Sequence, residues 1–394
     1  MNPRLEIESF LERIAHKDFR QTLEPMREAC QLLGNPQSDF TVVHIAGTNG
    51  KGSTAAFLNA ILQRAGYSVG LITSPHLIDV TERIQINRQP VSWEALWEII
   101  AKIRNTLPED DFLSYFEMMT LAGFEYFSQM GVDIAVVETG MGGRLDATNV
   151  VTPQAAVLTS ISHDHEKYLG ETLMQIAQEK CGILKRDCQV ISAPQSEEVA
   201  FVIEEHCREL GLELSWADPE KITFALGLKG EHQKINAACA LTAGQVLLAD
   251  DLIAEVAEAA LRKAAWPGRL QYLRDNFLVD CAHNLGGMRT LADYLQAAHA
   301  GQKIHFLLGA LADKNWQTMF EPIIPLANRF TCVTPTSGRA LPAASLAEYL
   351  KRYEKPATCL ERLTLPEAEP EELLVATGSL YMIGELLRCF PKPD

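Results

Sequence analysis

The sequence predicts an α/β protein of two domains, each built on a mostly parallel sheet. Short apolar, β-branched runs alternate along the chain with longer segments that have helical spacing. The short runs are almost continuously apolar, as expected for strands that are covered on both faces. The chain has 394 residues, enough for two or three separate cores.

The first alternation occupies the N-terminal two thirds of the chain. Its predicted strands are Thr41–Ala46, Ser68–Thr73, Asp133–Val137, Ala155–Ser160 and Gln189–Ala193. Its predicted helices are Thr54–Ala65, Trp93–Thr106, Phe112–Gln129, Thr172–Leu184, Gln233–Ala249 and Leu252–Ala265. The helices stop at Trp266-Pro267-Gly268, because proline and glycine break helices, so we divide the chain into domains 1–267 and 268–394.

A second alternation follows this boundary. Its predicted strands are Phe277–Cys281, Lys303–Leu308, Arg329–Thr334 and Glu372–Thr377, and its predicted helices are Gly286–Ala298, Trp316–Leu326, Ala343–Tyr353 and Ser379–Cys389. The pattern indicates a smaller, Rossmann-like α/β domain of ordinary size.

Charge and composition exclude several classes of protein. The chain has 35 Lys and Arg against 51 Asp and Glu, a net charge of −16, which argues against nucleic acid or an anionic membrane as a partner. No apolar run approaches the ~18 residues of a membrane span, and the charged N-terminus does not resemble a signal peptide. The nine cysteines are scattered without a C-x-x-C pair, so we expect no disulfide framework and a location in the reducing cytoplasm. We also expect a monomer.

The strongest motif is the loop Gly47-Thr48-Asn49-Gly50-Lys51-Gly52-Ser53, which follows a predicted strand and opens a predicted helix. Such a loop can turn backbone N–H groups toward a phosphate, the helix N-terminus favours negative charge, and Lys51 adds a cation. The pattern departs from the usual phosphate loop, because Ile45 takes the place of its first glycine and Gly52 separates Lys51 from Ser53. The alternative is a tight turn with an exposed lysine. We predict a P-loop-type N-terminal domain.

The loop resembles that of the Mur ligase superfamily, and most closely that of the folylpolyglutamate synthase/dihydrofolate synthase family, in which GTNGKGS is characteristic. Motifs in both domains agree in order: LGNPQ, TSPHL, TERI, VVETGMGGRLDATN, TSISHDHEKYLG, EKCGILK, PGRLQ, DCAHN, GALADKNW and TGSLYMIGE. The resemblance implies an ATP- and Mg²⁺-dependent ligase that works through an acyl phosphate and joins L-glutamate to dihydropteroate, to tetrahydrofolate, or to both. The sequence leaves these three open, and we predict that the chain does both. It implies ATP contacts from Asn49, Gly50, Lys51, Gly52 and Ser53.

Candidate metal ligands follow the predicted strands. Glu138 ends one strand, where a carboxylate beside a phosphate loop suits Mg²⁺, although a strand-end surface glutamate is the alternative. His163 and His165 form an H-x-H pair, but no cysteine or further histidine nearby completes a zinc set. The resemblance assigns metal binding to His165 and Ser74 and gives His163 no role. Without it, Ser74 is typical of a cap or turn.

Lys180 lies on a predicted helix and by itself is typical of a surface lysine. The resemblance places a carbamylated lysine at this position, fifteen residues after His165. A lysine amine with a lowered pKa can add CO₂ and become an anionic oxygen ligand. We therefore predict that Lys180 is a carbamate that helps to bind a second Mg²⁺.

The resemblance also implies nucleotide contacts from Asn236, Arg269, Asp280 and His283, and His283 is our candidate for a general base. Arg269 lies at the predicted domain junction, where a cation could reach the γ-phosphate only after the domains close. By themselves these residues are equally typical of a helix surface, a linker and the end of a strand. The family usually continues His-Asn-Pro, whereas Leu285 follows His283-Asn284 here, which predicts an altered turn before the next helix.

Two segments are candidates for a pterin pocket: Ser114, Tyr115, Phe116 and Glu117, and Leu145, Asp146 and Ala147. Aromatic rings can stack on a flat heterocycle, and carboxylates can accept hydrogen bonds from its N–H groups. The first segment also has the pattern of an amphipathic core helix. Glutamate is expected to bind the C-terminal domain, near Arg339 and Ser345.

Three other functions stay open. They are another Mur-type amino-acid ligase, a P-loop kinase or ATPase, and a folate-binding paralogue without activity. The pterin-pocket segments argue against the first, and the family-like C-terminal domain argues against the second. The complete set of Lys51, Glu138, His165 and Lys180 argues against the third.

Overall fold

A computed structural model describes residues 2–15, 22–109, 112–366, 369 and 371–389. The chain divides into two compact units, Met1–Gly227 with Gln233–Ala265, and Leu228–His232 with Trp266–Asp394. Each unit contains one mostly parallel sheet with helices, so the predicted α/β class is confirmed. Among the described residues, no helix combines the length and apolar composition that crossing a membrane requires.

The first unit is built on an eight-stranded sheet in the order β4-β3-β2-β5-β1-β6-β7-β8. Neighbouring strands pair in parallel except at one edge, where β3 pairs antiparallel with β2 and β4 pairs antiparallel with β3. The strands are β1 (Thr41–Ala46), β2 (Val69–Ile72), β3 (Ile84–Ile86), β4 (Gln89–Pro90), β5 (Ile134–Glu138), β6 (Ala155–Leu158), β7 (Gln189–Ser192) and β8 (Leu214–Trp216). The central strands are buried on both faces, as their apolar runs predict.

Helices cover both faces of this sheet. They are α1 (Pro3–Ile14), α2 (Glu24–Leu32), α3 (Lys51–Arg64), α4 (Trp93–Thr106), α5 (Tyr115–Met130), α6 (Glu166–Leu169), α7 (Leu173–Cys181), α8 (Glu197–Leu210), α9 (His232–Leu248) and α10 (Ala254–Lys263). One apolar core lies among α1, α2, α4 and α5, and another lies under α7 and α8.

The register of the sheet decides where the loops meet. Ile45 of β1 pairs with Glu138 of β5, and Ala46 pairs with Leu158 of β6, all in parallel strands. The loops that follow β1, β5 and β6 therefore begin side by side at one edge of the sheet. In open α/β sheets this carboxyl edge is where ligands bind.

The second unit contains a six-stranded sheet in the order β13-β12-β11-β14-β10-β9, of which only β9 is antiparallel. The strands are β9 (Gln271–Arg274), β10 (Phe277–Val279), β11 (Lys303–Leu308), β12 (Arg329–Val333), β13 (Ala357–Leu360) and β14 (Glu372–Thr377). The helices are α11 (Leu285–Ala298), α12 (Trp316–Phe320), α13 (Ala343–Lys351) and α14 (Leu380–Cys389). They enclose a third apolar core.

Some elements differ from the prediction for identifiable reasons. The predicted helix Trp316–Leu326 is wrong, because α12 ends at Phe320 before Pro322, and only a 3-10 turn, Ile324–Leu326, follows. Helices α1, α2 and α8 were not predicted, although α8 buries its residues at helical spacing. The second unit also takes in Leu228–His232, where the ammonium of Lys229 lies 5.4 Å from the centre of the Tyr272 ring.

A buried carboxylate stabilises the second sheet. Glu372, 2% exposed, accepts hydrogen bonds from Arg329 Nε at 3.0 Å and Nη2 at 2.5 Å. Burial raises the pKa of Glu372 and is the largest single effect, but the hydrogen bonds from Arg329 and from the backbone N–H of Glu369 and the charges of Arg329 and His305 together outweigh it, and the net shift is downward. A lowered pKa in the folded state means that the ionised carboxylate stabilises the fold.

We predict that Glu372→Gln destabilises the second unit by about 2 kcal/mol, because a charge-assisted bidentate pair is lost. Calorimetric unfolding checks this, with Glu369→Gln as the control, since the exposed Glu369 side chain forms a surface ion pair with Lys303 at 3.6 Å. The difference in the free energy of unfolding between wild type and Glu372→Gln should be fully present above the ordinary glutamate pKa of 4.5. It should shrink as the pH falls through the lower pKa that Glu372 has in the folded protein. Equal losses in both variants would contradict the role of the pair.

Candidate active site

The loop between β1 and α3 requires glycine at two positions. Gly47 and Gly50 have φ angles of +154° and +92°. A Cβ atom on Gly47 would lie 1.9 Å from Thr159 Oγ1, and one on Gly50 would lie 2.2 Å from Asn236 Oδ1. The backbone therefore forms a narrow cradle that a side chain would fill, at the N-terminus of the 14-residue helix α3. This geometry fits the phosphates of a nucleotide.

The loop after β6 anchors the cradle. The backbone N–H groups of Thr48 and Asn49 donate to Ser160 O at 2.8 and 3.2 Å. The Thr48 hydroxyl donates to Ser162 O at 2.9 Å and accepts from Ser162 N–H at 3.0 Å. Sequence analysis gave Thr48, Ser160 and Ser162 no anchoring role, because hydroxyl residues in loops carry no distinctive pattern.

Two lysines converge on the carbonyl oxygen of Gly47. Lys51 Nζ donates to it at 3.1 Å and to Thr48 O at 3.3 Å, and Lys180 Nζ donates to it at 2.8 Å. Lys180 is only 4% exposed, so its interpretation as a surface lysine is wrong. Burial, with the charge of Lys51, lowers the pKa of Lys180 to about 7. The neutral form of the Lys180 amine is therefore much more populated at neutral pH than that of an ordinary lysine.

A side-chain relay connects α9 with the cradle. The Asn236 amide donates to Gln233 Oε1 at 2.9 Å, and the Gln233 amide donates to Ser53 Oγ at 3.4 Å. The structure thus brings together Gly50, Ser53 and Asn236, three of the residues predicted to contact ATP. Gln233, 1% exposed, was missed because a glutamine within a helix gives no signal in the sequence.

Glu138 ends β5 at the carboxyl edge and is 5% exposed, so its interpretation as a surface glutamate is wrong. Its Oε2 accepts from the backbone N–H of Ser74 at 3.4 Å. The structure thus brings together two of the predicted metal ligands. A buried carboxylate at this position has an electrostatic reason to bind a cation.

His165 precedes α6 with a φ angle of +53°, and its side chain is 41% exposed. Its backbone N–H donates to Asp164 Oδ1 at 2.9 Å, and the Asp164 carboxylate opposes the lowering of the Lys180 pKa. The loop of His165 therefore lies within electrostatic range of Lys180. His163 instead pairs with Glu166 at 2.9 Å on the surface.

Within the described part of the chain, no three His, Cys, Asp or Glu side chains are grouped to hold a metal ion. The predicted set contains only two residues of those types, Glu138 and His165. Ser74 would add a hydroxyl, and Lys180 would add oxygen atoms only as a carbamate. A mainly oxygen set with one imidazole fits Mg²⁺ better than zinc, and the buried Glu138 supports that fit.

The first predicted pterin segment forms the start of α5. Ser114 caps this helix and accepts from Glu117 N–H at 3.5 Å, while Glu117 Oε2 accepts from Ser114 N–H at 2.7 Å. Phe116 packs on Gly140, where an added Cβ would lie 2.6 Å from its ring. The guanidinium of Arg83 lies 5.2 Å from the centre of the Tyr115 ring. Arg83, to which sequence analysis gave no role, thus joins the predicted aromatic residues.

The second predicted pterin segment surrounds a buried carboxylate. Asp146, 2% exposed, accepts from the N–H groups of Gly140 and Met141 at 2.9 Å each, and from Thr148 N–H and Oγ1 at 3.0 and 2.5 Å. Burial raises its pKa, and these hydrogen bonds oppose the shift. Leu145 is half-buried and Ala147 is buried. Asp146, like Glu117, thus bonds within the chain, and its contact with pterin stays a prediction.

The second unit positions its own predicted residues at the end of β10. Asp280 accepts from Leu270 N–H and from Ala282 N–H at 2.9 Å each, and burial raises its pKa while Arg269 opposes the shift. His283 Nδ1 lies 2.9 Å from Cys281 O. Since a carbonyl only accepts, Nδ1 carries the proton and Nε2 of the neutral ring is the acceptor.

The missing proline of the family pattern has a local replacement. Asn284 caps α11 by accepting from Gly287 N–H at 2.8 Å, so the helix begins at Leu285 with its cap in place. Elsewhere in this unit, Arg339 donates to Asp313 Oδ2 at 2.7 Å and to Tyr381 OH at 3.4 Å. Ser345 is exposed in the first turn of α13. Their glutamate contacts stay predictions.

The chain was compared with known families, proteins and structures. Residues 45–192 match the Mur ligase middle domain, and residues 268–380 match the Mur ligase glutamate ligase domain. The dihydrofolate synthase/folylpolyglutamate synthase of Bacillus subtilis is 33% identical, with 92% of this chain and 93% of that protein covered. The dihydrofolate synthetase of Saccharomyces cerevisiae is 32% identical, with 93% and 97% covered.

Solved structures agree along the whole chain. A Mycobacterium tuberculosis folylpolyglutamate synthase complexed with ADP has a TM-score of 0.92 and 28% identity, covering 100% of this chain and 99% of that one. A bifunctional folylpolyglutamate synthase/dihydrofolate synthase from Yersinia pestis, complexed with AMPPNP and Mn ion, has a TM-score of 0.87 and 26% identity, covering 98% of each chain. The family that the motifs predict is confirmed: the chain belongs to the dihydrofolate synthase/folylpolyglutamate synthase family of ATP-dependent ligases.

Proposed function

We propose that this chain joins L-glutamate to dihydropteroate and also adds glutamate to tetrahydrofolate. The observation that carries the proposal is the convergence of Lys51 and the buried Lys180 on the Gly47 carbonyl, inside a glycine cradle beside Glu138. Family membership supports the ligase chemistry. Since relatives of similar identity bear either a double or a single activity in their names, bifunctionality rests on this proposal.

Several residues of the first unit contribute to binding ATP, each in a different way. The backbone of Gly47–Ser53 and the N-terminus of α3 hold the phosphates, and Lys51 supplies a positive charge at the first turn of that helix. Asn236 lies against Gly50 and contributes to nucleotide binding. In the second unit, Arg269, Asp280 and His283 complete the predicted nucleotide and catalytic residues.

Glu138, His165, Ser74 and carbamylated Lys180 would hold Mg²⁺. When bound, Mg²⁺ neutralises negative charge on the phosphates. The neutral fraction of the Lys180 amine is the form that reacts with CO₂, and its pKa of about 7 makes that form abundant at neutral pH. The chain thus supplies the chemical condition for carbamylation.

The reaction proceeds in two steps on the substrates. A carboxylate oxygen of the pteroate attacks the γ-phosphorus of ATP, the bond to the β-phosphate oxygen breaks, and an acyl phosphate and ADP form. The neutral amine of glutamate then attacks the acyl carbon, expels inorganic phosphate and loses a proton, for which Nε2 of His283 is a candidate acceptor. Lys51 and Arg269 stabilise the charge that develops on the phosphate.

We propose the same distribution of roles along the chain that the sequence predicts. Residues 1–267 bind ATP and pterin, and residues 268–394 bind glutamate. We further propose a cytoplasmic monomer, for which the nine free thiols, seven of them buried, are consistent with reducing surroundings. Light scattering of the purified protein tests the monomer.

We predict that Lys51→Ala lowers kcat by about 100-fold or more, because a preorganised cation at the phosphates is lost. Steady-state ADP release measures the effect. Lys263→Ala is the control, since this lysine is exposed at the end of α10. Near-normal turnover of Lys51→Ala would contradict the assignment of the phosphate loop.

We predict that Lys180 incorporates ¹³CO₂ as a carbamate and that Lys180→Ala does not, as ¹³C NMR of the intact protein will show. The matched control is Lys185→Arg, because burial also lowers the pKa of Lys185, to about 8. This variant should retain the carbamate signal. Lys180→Ala should also lose activity and regain part of it when a short carboxylic acid is added. Wild type without the signal in bicarbonate buffer would contradict the modification.

We predict ADP release and glutamate incorporation with both dihydropteroate and tetrahydrofolate, in the presence of MgATP and L-glutamate. The mass of each product should increase by one glutamate residue, and an assay without glutamate is the control. Turnover with only one acceptor would remove the bifunctional proposal. Turnover with neither, in protein that carries the carbamate, would remove the folate assignment and favour another Mur-type substrate.

A further inference from the structure

A buried polar network joins β1 to the turn that follows Glu138. His44, which is fully buried in β1, places its Nε2 2.8 Å from Thr148 Oγ1. Thr148 Oγ1 lies 2.5 Å from Asp146 Oδ1. Asp146 Oδ2 in turn accepts from Gly140 N–H and Met141 N–H, each at 2.9 Å.

The chemistry of the groups fixes the direction of each hydrogen bond. The Asp146 carboxylate accepts four hydrogen bonds, so the Thr148 hydroxyl donates its only proton to that carboxylate. The same hydroxyl must then accept from His44, which carries its proton on Nε2. Burial lowers the pKa of His44 to about 3, so the ring is a neutral donor at physiological pH.

His44 completes this network but leaves one of its own polar atoms unsatisfied. Its Nδ1 is buried and has no hydrogen-bond partner within the described residues. A phenylalanine would fill similar space without leaving a polar atom unsatisfied, so packing alone does not explain a histidine here. The feature that distinguishes histidine from an apolar residue is the Nε2–H group directed at Thr148.

The turn that contains Thr148 has other supports. Asn149 Nδ2 donates to Arg144 O and to Gly182 O at 2.9 Å each, and Lys185 Nζ donates to Asn149 O at 2.8 Å. The 3-10 turn at Ala147–Val150 is therefore held without the Thr148 hydroxyl. What the hydroxyl adds is the orientation of the Asp146 carboxylate.

We propose that His44 and Thr148 are positioning residues, which orient Asp146 so that it holds the Gly140–Met141 turn and presents the pteroate substrate correctly beside Glu138. The kinetic part of this inference rests on the proposed function. His44 lies three residues before Gly47 on the strand that carries the phosphate cradle. The network thus fixes the turn after β5 relative to the strand before the cradle.

Two pairs of variants test the proposal. Thr148→Val and His44→Phe remove the hydrogen bonds, whereas Thr148→Ser keeps the hydroxyl and His44→Gln keeps a donor near the Nε2 position. Thr120→Val is the matched control, because Thr120 is a buried threonine whose hydroxyl has no partner among the described residues. The His44 pair keeps the test decisive if Thr148→Val does not fold.

The first measurement is hydrogen exchange of a peptide that contains Gly140 and Met141. We expect exchange about tenfold faster in Thr148→Val and His44→Phe, because the acceptor of both amides is no longer oriented. Exchange in Thr148→Ser, His44→Gln and Thr120→Val should match the wild type. Unchanged exchange in Thr148→Val and His44→Phe overturns the inference, and equal acceleration in Thr120→Val shows a general packing effect and also overturns it.

The second measurement compares the KM for dihydropteroate with the KM for ATP. We expect the KM for dihydropteroate to rise about tenfold in Thr148→Val, with the KM for ATP within about twofold of wild type, since Thr48, Ser160 and Ser162 anchor the cradle independently. The double variant His44→Phe/Thr148→Val should lose no more than Thr148→Val alone, because both act through one path. A proportional loss for both substrates, or a loss that Thr148→Ser does not restore, overturns positioning.

The two proposals fail in different ways. A wild-type protein without turnover on either folate substrate overturns the proposed function, and exchange at Gly140 and Met141 then decides the network by itself. Active wild type with an unaffected Thr148→Val variant overturns only this inference.

Discussion

The close approach of backbone at Gly47 is the constraint on which the candidate site depends. A side chain at this position would overlap with Thr159, so the turn after β1 can pass beside β6 only as glycine. The tight turn leaves the Gly47 carbonyl accessible to Lys51 from the same loop and to Lys180 from α7. One backbone oxygen thereby brings a local and a distant lysine together. The parallel register of β1 and β5 adds Glu138 to the same edge.

Burial gives these groups their chemical character. A lysine on a solvated helix would be fully protonated at neutral pH, but Lys180 is almost inaccessible and close to Lys51, and its pKa falls to about 7. Burial disfavours the charge of the Asp146 carboxylate as well, which raises its pKa, and four hydrogen bonds oppose that shift. The same dry edge therefore contains an amine that readily loses its proton and a carboxylate that is stabilised by backbone N–H groups.

The sequence predicts the parts of the site that have a local signature. The cradle follows from glycines between a strand and a helix, and the position of Glu138 follows from the end of an apolar run. The burial of Lys180 has no local signature, since it depends on α7 packing against a loop more than a hundred residues earlier in the chain. The same holds for Arg83, Gln233 and Thr148, because the tertiary fold alone brings each of them to a partner that is distant in sequence. These partners are Tyr115, Ser53 and His44, respectively. In helix α12 a local signal was present but was given too little weight. The prediction followed the apolar spacing over Trp316–Leu326 although two prolines interrupt it, and the helix ends at Phe320.

The carboxylates of the predicted pterin pocket show why a residue's role does not follow from its type. Glu117 and Asp146 were predicted to accept hydrogen bonds from a ligand, and in the structure both accept them from the chain. Each carboxylate oxygen has two lone pairs, and the two oxygens of Asp146 already accept four bonds within the chain, which leaves little capacity for a ligand. A carboxylate whose lone pairs are filled by bonds within the chain is best suited to hold the neighbouring backbone in place. That internal bonding is the reason for our proposal that His44 and Thr148 orient Asp146, and that recognition of the pteroate depends on the precise position of the turn after Glu138.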